Sequence, residues 1–178
     1  MKNDMEKILF SEDELQAKVG ELGAQITADY KGTEPVFLGV LKGSFVFMAD
    51  LMRKIELPCR IEFMALSSYG NRSETTGAVQ ITQDLNTDIE GRDLIVVEDI
   101  LDSGLTLNYL INYLEVRKPA SIKICTLLDK PDRRRASVKA AYKGFAIPDE
   151  FAVGYGLDFA EKYRNLPYIG ILKREIYS

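Results

Sequence analysis

The sequence contains no histidine. A Ser-His-Asp triad, a Cys-His nucleophile pair and a His-ligated zinc are therefore excluded. Acid–base work falls to Asp, Glu, Lys, Tyr or Cys. Cysteine is scarce too, with only Cys59 and Cys125. Both stand in β-like apolar stretches, Cys-Arg-Ile-Glu-Phe and Ile-Lys-Ile-Cys-Thr-Leu-Leu. They read as buried free thiols rather than a disulfide or a reactive nucleophile. A reducing cytoplasm is the expected compartment. No apolar run approaches the roughly 18 residues of a membrane span. The opening Met1-Lys2-Asn3-Asp4 is polar and charged, without the apolar stretch of a signal peptide. A basic excess is also missing. There are 23 Lys+Arg against 27 Asp+Glu, a formal charge of -4, which argues against a non-specific nucleic-acid binder. What is there is ordinary for a globular protein: 178 residues, 46% apolar and 28% charged. One domain over 1–178 is expected, long enough to bury roughly 70% of its unfolded surface without disulfides or a structural metal.

Strand and helix patterns alternate along the chain. Ser11 and Glu14 form a capping box, with Phe10 and Leu15 spaced as a hydrophobic staple. Leu15, Val19, Leu22 and Ile26 then recur at helical spacing, predicting a helix over about 11–30. Val36 to Leu41 is an apolar run free of charge, as in a strand buried on both faces. Lys42-Gly43-Ser44 breaks it. Phe45 to about Ile55 reads as a helix capped by Ser44. Further strands are predicted over about 60–66, 79–82, 94–97, 122–128, 151–155 and 168–172. A helix over 106–116 is stopped by Pro119. Ser67 to Gly77 is polar, glycine-bearing and long for a connection, so about 67–78 reads as a mobile functional loop. The alternation predicts an α/β fold with a central, largely parallel sheet flanked by helices.

One stretch is chemically informative: Leu94-Ile95-Val96-Val97-Glu98-Asp99-Ile100-Leu101-Asp102-Ser103-Gly104-Leu105-Thr106. In parallel α/β sheets ligands bind at the carboxyl ends of strands. Here a buried strand leads to two adjacent carboxylates, then to Asp102 in the turn. Ser103 to Thr106 then opens a helix. Gly104 allows tight backbone geometry, and two hydroxyls with the free N–H groups of the helix start form a phosphate cradle. Carboxylates for ribose hydroxyls or magnesium thus stand beside a phosphate pocket, as a phosphorylated sugar requires. Each residue alone is as well explained as a solvated acid or plain turn; the combination is not. Neither Gly-x-x-x-x-Gly-Lys-Ser/Thr nor Gly-x-Gly-x-x-Gly is present.

This stretch resembles the phosphoribosyl-pyrophosphate signature of type I phosphoribosyltransferases. Leu41-Lys42-Gly43-Ser44, Leu128-Asp129-Lys130 and Phe151-Ala152-Val153-Gly154-Tyr155-Gly156-Leu157-Asp158 through Arg164 resemble, in the same order, the hypoxanthine-guanine branch of that family. The resemblance runs from about residue 6 to 175. It implies the type I phosphoribosyltransferase fold, with a small hood built from the chain ends.

The resemblance also implies roles. Glu98 and Asp99 would hold the ribose hydroxyls and a magnesium ion. Asp102 would be the general base toward the purine imidazole nitrogen. Ser103, Gly104, Leu105 and Thr106 would cradle the 5′-phosphate. Lys42 and Gly43 would meet the pyrophosphate through backbone groups, beside a non-proline cis peptide at Leu41-Lys42, and Arg164 would grip it. Ser68 and Tyr69 match the family's closing loop. Lys130 would donate to the purine 6-oxo group, Phe151 would stack on the base, and the Ala152 backbone would read its edge. Asp158 would stand near the purine and help a second magnesium. Ser103 replaces a common Thr, and Leu105 stands where some relatives have Lys. From the residues alone, Lys42-Gly43-Ser44 could be a plain turn, Lys130 part of a solvated charge run to Arg135, Phe151 mere core, and Arg164 a surface ion-pair partner.

The implied activity is magnesium-dependent transfer of phosphoribosyl from phosphoribosyl pyrophosphate to hypoxanthine or guanine, in purine salvage, by a homodimer or homotetramer. The alternative is a nucleic-acid-binding regulator on the same fold that senses the sugar pyrophosphate. The negative charge, together with Asp102, Lys130 and Phe151, favours the enzyme, with small-molecule substrates, no nucleic acid and no membrane.

Overall fold

The computed structural model describes residues 1–68 and 79–177. Strand β1 (Met5–Phe10) leads into helix α1 (Glu12–Asp29). The capping box at its start is complete: Ser11 accepts from the Glu14 N–H, and the Glu14 carboxylate accepts from the Ser11 N–H. Strand β2 (Val36–Leu41), helix α2 (Phe45–Met52), β3 (Arg60–Ser68), β4 (Val79–Gln83), β5 (Asp93–Leu101) and α3 (Leu105–Glu115) follow. The chain continues through β6 (Ser121–Asp129), β7 (Tyr142–Ala146), β8 (Ala152–Val153), β9 (Ile169–Leu172) and the short α4 (Arg174–Tyr177).

Six strands form the main sheet in the order β4-β3-β2-β5-β6-β7. All neighbours pair in parallel except β3 and β4. The expected largely parallel sheet is therefore present. Its central strands are buried on both faces, which is why they read as unbroken apolar runs. Ile95 and Val97 of β5 pack into one cluster with Leu15, Val19, Leu22 and Ile26 of α1 and Phe47 and Leu51 of α2. Leu94 and Val96 point the other way, into a cluster with Leu107, Leu110 and Leu114 of α3. Each such fully buried side chain contributes about 1.5–3 kcal/mol of transfer free energy.

The hood is a second sheet, β1-β9-β8, made from both chain ends as expected. Met5, Val153, Tyr163, Leu166 and Leu172 form its core, with Phe151, Phe159 and Tyr168 against it.

Several expectations are corrected. Strands β1 and β7 were not foreseen. Helix α2 ends at Met52, not near Ile55. Ser44 occupies the position before it but caps nothing; its hydroxyl donates to Val40 O at 2.6 Å. Strand β5 continues to Leu101, so Glu98 and Asp99 lie within it rather than beyond it. The ladder to β6 runs on through Glu98↔Thr126 to Leu101↔Asp129.

The order of strands locates the cleft. From β2 the sheet grows to β3 on one side, and from β5 to β6 and β7 on the other. The carboxyl ends of β2 and β5 therefore flank a topological switch point, where open α/β sheets bind ligands. The β2–β5 ladder stops at Gly39↔Val97, two residues before β2 ends and four before β5 ends.

Candidate active site

The turn after β2 and the acid pair of β5 meet at this switch point. A Cβ on Gly43 would lie 1.6 Å from Asp99 Oδ2. On its other side Gly43 packs against Gly156, whose Cβ would lie 2.1 Å from Gly43 O. The Leu41-Lys42 peptide bond is cis. Asp99 Oδ1 accepts from the Ile100 N–H at 2.7 Å. Burial nevertheless dominates and raises the Asp99 carboxyl to about 6. Burial, and then the neighbouring Asp99 charge, push Glu98 well above the ordinary carboxylate range. Glu98 Oε2 is buried with no hydrogen-bond partner. Two acids so disposed, one orphaned, call for a cation or for hydroxyl donors from a ligand.

Gly104, with φ 79°, turns the chain from β5 into α3. Ser103 Oγ accepts from the Leu105 N–H at 3.4 Å. Glu98, Asp102, Ser103, Gly104 and Thr106 line a cavity of about 120 Å³. Leu105 and Thr106 are exposed. Asp102 Oδ1 is buried with no aligned donor, although Arg133 Nε lies 2.8 Å away. Arg133 is itself shared with Asp149 at 3.0 Å, and both are about half exposed. Such a surface pair is weak.

Lys130, directly after β6, is only 8% exposed, which removes it from the solvated charge run that follows. Its N–H donates to Leu101 O at 2.9 Å. Its ammonium donates to Glu150 O at 2.8 Å and pairs with Asp149 at 3.5 Å. Phe151 is half-buried on the hood core, stacked on Tyr177 with centroids 4.8 Å apart and meeting Phe159 edge-on at 5.5 Å. Ala152 pairs with Ile171, and Leu172 N–H donates to Phe151 O at 3.0 Å.

The segment from Gly154 to Arg164 lies against the turn after β2 through Gly156 and Gly43. Its non-glycine residues Tyr155, Ala160, Glu161 and Tyr163 all have positive φ, between 50° and 76°. Such conformations cluster where surrounding structure imposes a functional geometry. The hydroxyl of buried Tyr155 donates to the Asp50 carboxylate, anchoring the segment to α2. Arg164 Nη1 donates to Gly156 O at 2.8 Å, and Nη2 pairs with Asp158 at 2.9 Å and Glu161 at 3.4 Å. Lys42 Nζ reaches the same Glu161 at 3.1 Å, an exposed pair. Lys42, Gly43, Asp99, Asp158 and Arg164 are thus brought together, and Arg164 is more than a surface partner. Ser68 ends β3, paired with Val79, while Tyr69 and the rest of 69–78 lie outside the described residues. Glu161, which joins Lys42 to Arg164, was missed; nothing local marks it, because its partner is 119 residues away.

Among the described residues no three acidic or cysteine side chains converge into a metal cage. Glu98 and Asp99 still fit magnesium, a hard cation that takes one or two carboxylates and completes its shell with substrate oxygens and water.

Comparison with known proteins agrees with this geometry. The sequence profile of the phosphoribosyl transferase domain matches residues 9–160. The hypoxanthine-guanine phosphoribosyltransferase of Bacillus subtilis is 56% identical over 178 residues, covering 100% of this chain and 99% of that one. A crystal structure of a hypoxanthine phosphoribosyltransferase from Staphylococcus aureus superposes with a TM-score of 0.96 at 52% identity, covering 100% of this chain and 97% of that one. A Bacillus anthracis hypoxanthine-guanine phosphoribosyltransferase, solved with a HEPES molecule in the active site, gives 0.91 at 54% identity, covering 95% and 99%. The chain belongs to the phosphoribosyltransferase family, and within it to the hypoxanthine-guanine branch.

Proposed function

We propose that the chain moves the 5-phosphoribosyl group from phosphoribosyl pyrophosphate to hypoxanthine or guanine, releasing pyrophosphate and giving IMP or GMP. The observation that carries this is a buried ammonium, Lys130, beside the same carboxyl strand ends as the Glu98–Asp99 pair and the Asp102–Thr106 loop. In this reading Glu98 and Asp99 hold the ribose hydroxyls and the loop from Ser103 to Thr106 cradles the 5′-phosphate. Lys42 and Gly43 meet the pyrophosphate by backbone. Arg164 grips the same group. Lys130 donates to the 6-oxo group, Phe151 stacks on the ring, and the Ala152 backbone reads the edge.

The C1′–oxygen bond to pyrophosphate breaks and a C1′–nitrogen bond to the purine forms. The purine's imidazole proton passes to Asp102, whose Oδ1 also meets the half-exposed Arg133 guanidinium at 2.8 Å. Magnesium held by Glu98 and Asp99, and a second ion helped by Asp158, each completed by ligand oxygens, would supply charge neutralisation at the pyrophosphate. The hood contributes Phe151 and Arg164, so residues 1–178 act as one functional domain. We further propose a homodimer or homotetramer. Among the described residues no helix is long and apolar enough to cross a membrane. The unpaired Cys59 and Cys125 support a reducing cytoplasm.

The test is product analysis after incubation with phosphoribosyl pyrophosphate, magnesium and hypoxanthine, guanine or adenine in turn. IMP and GMP should form in step with pyrophosphate. No nucleotide from either oxopurine, or AMP at a comparable rate, would contradict the proposal.

A further inference from the structure

Three successive carbonyls of the phosphate loop are held from behind by one segment. Leu101 O accepts from the Lys130 N–H at 2.9 Å, and Ser103 O from the Arg135 and Ala136 N–H groups at 2.8 and 3.2 Å. Between them, Asp102 O accepts from Arg134 Nη1 at 2.6 Å. Only this middle carbonyl depends on a side chain. Arg134 Nη2 is in turn bound by the carboxylate of Asp129, which is 5% exposed at the end of β6. The arginine stem also packs under the turn, since a Cβ on Gly104 would lie 3.2 Å from Arg134 Cδ.

In a planar trans peptide the carbonyl and the following N–H point in opposite directions. Holding the carbonyls of 101, 102 and 103 toward the 130–136 segment therefore turns the N–H groups of 102, 103 and 104 the other way. We infer that Arg134, anchored by Asp129, is a positioning residue for the 5′-phosphate: it fixes the loop so that its amides present to the phosphate. This rests on the phosphoribosyl reading of the loop. Arg134 acts through the backbone and not as a phosphate ligand, because both terminal nitrogens are engaged and its charge is matched by a buried carboxylate.

The test compares calorimetric affinities for IMP and for inosine, which lacks only the 5′-phosphate, in buffer containing magnesium. The affinity ratio isolates the phosphate contribution. In Arg134→Gln the ratio should fall by about tenfold or more, the size of losing one hydrogen bond to a charged group, with inosine affinity nearly unchanged. Arg134→Lys, which can reach one acceptor but cannot fork to both, should restore part of the ratio. It also carries the test if the glutamine variant fails to fold by circular dichroism. Asp129→Asn should lower the ratio by a smaller factor. An unchanged ratio in the Arg134 variants overturns the inference. So does an equal loss for inosine, which means general damage to the cleft. A higher ratio in Asp129→Asn also overturns it, since a freed arginine binding phosphate directly would act that way. A wild type that binds IMP no better than inosine refutes the phosphoribosyl reading itself.

Discussion

Gly43 and Asp99 share space that admits no side chain at position 43: a Cβ there would overlap the Asp99 carboxylate at 1.6 Å. The turn after β2 is thereby pressed against the acid of β5, and the two halves of the cleft form one wall. Gly43→Ala should displace Asp99. Overpacking of this kind costs about 1–3 kcal/mol of stability. A displacement near 1 Å in a reacting constellation costs about 10²-fold in rate. Steady-state kinetics with varied phosphoribosyl pyrophosphate should show that loss in kcat/KM, while the circular dichroism spectrum stays native. Wild-type kinetics would show that Gly43 is not part of the wall.

Asp99 should make the metal-free protein less stable as pH rises. Its carboxyl is raised from 3.8 to about 6 by burial, so the folded state binds the proton more tightly than the unfolded state. The unfavourable contribution is absent below about pH 4, grows through the interval to about 6, and is complete above it. At 1.36 kcal/mol per unit it reaches at most about 3 kcal/mol. Glu98, shifted in the same direction, reinforces it. Denaturant melts in chelating buffer should find Asp99→Asn more stable than wild type at pH 8, with the gap closing toward pH 4. A gap that widens on acidification has the wrong sign for a buried acid.

Asp102→Asn keeps the shape of the loop and, on the proposed reading, removes its base. Turnover should fall by about 10²–10⁴-fold, the usual contribution of a positioned general base. Affinity for phosphoribosyl pyrophosphate should change little, because the loop's carbonyl anchors at Leu101, Asp102 and Ser103 do not involve the Asp102 side chain. Single-turnover kinetics separates the two effects. Unchanged turnover would leave Asp102 a structural acid.

The parts of this site that lie on one stretch of chain were legible in the sequence. The β5–turn–α3 unit carries its acids, glycine and hydroxyls consecutively, and the capping box of α1 sits within four residues. What was not legible depends on contacts distant in sequence. Strand β1 buries only Met5 fully, so it lacks the alternation that marks a strand. Strand β7 contains Gly144, which reads as a turn signal. It is glycine because a Cβ there would lie 2.3 Å from Leu127 O on the neighbouring strand. Charged Glu98 and Asp99 look like the end of a strand, yet the ladder with β6 carries β5 through them to Leu101. Ser44 fits the pattern of a helix cap, but Val40 O is the acceptor in reach. Arg134 looked like one more charge in a surface run, because its anchor at Asp129 becomes visible only once the chain folds back.

On the proposed reading the cleft selects a 6-oxopurine and Lys130 reads it. An ammonium has three donors and no acceptor, so it pairs with a 6-oxo group and faces the amino group of adenine donor to donor. At 8% exposure the ammonium keeps Glu150 O and Asp149 as partners, and a mismatched base leaves its remaining donor without solvent to replace the lost acceptor. A site of this type can reject the wrong analogue by up to about 10⁴–10⁵-fold. Stacking on Phe151 tolerates any base and supplies no such selection. The direct measurement is kcat/KM for hypoxanthine, guanine and adenine in wild type and Lys130→Gln. Glutamine both donates and accepts, so the variant should lose about tenfold or more on both oxopurines and discriminate far less against adenine. Oxopurine activity and base preference that both survive the substitution would contradict the account.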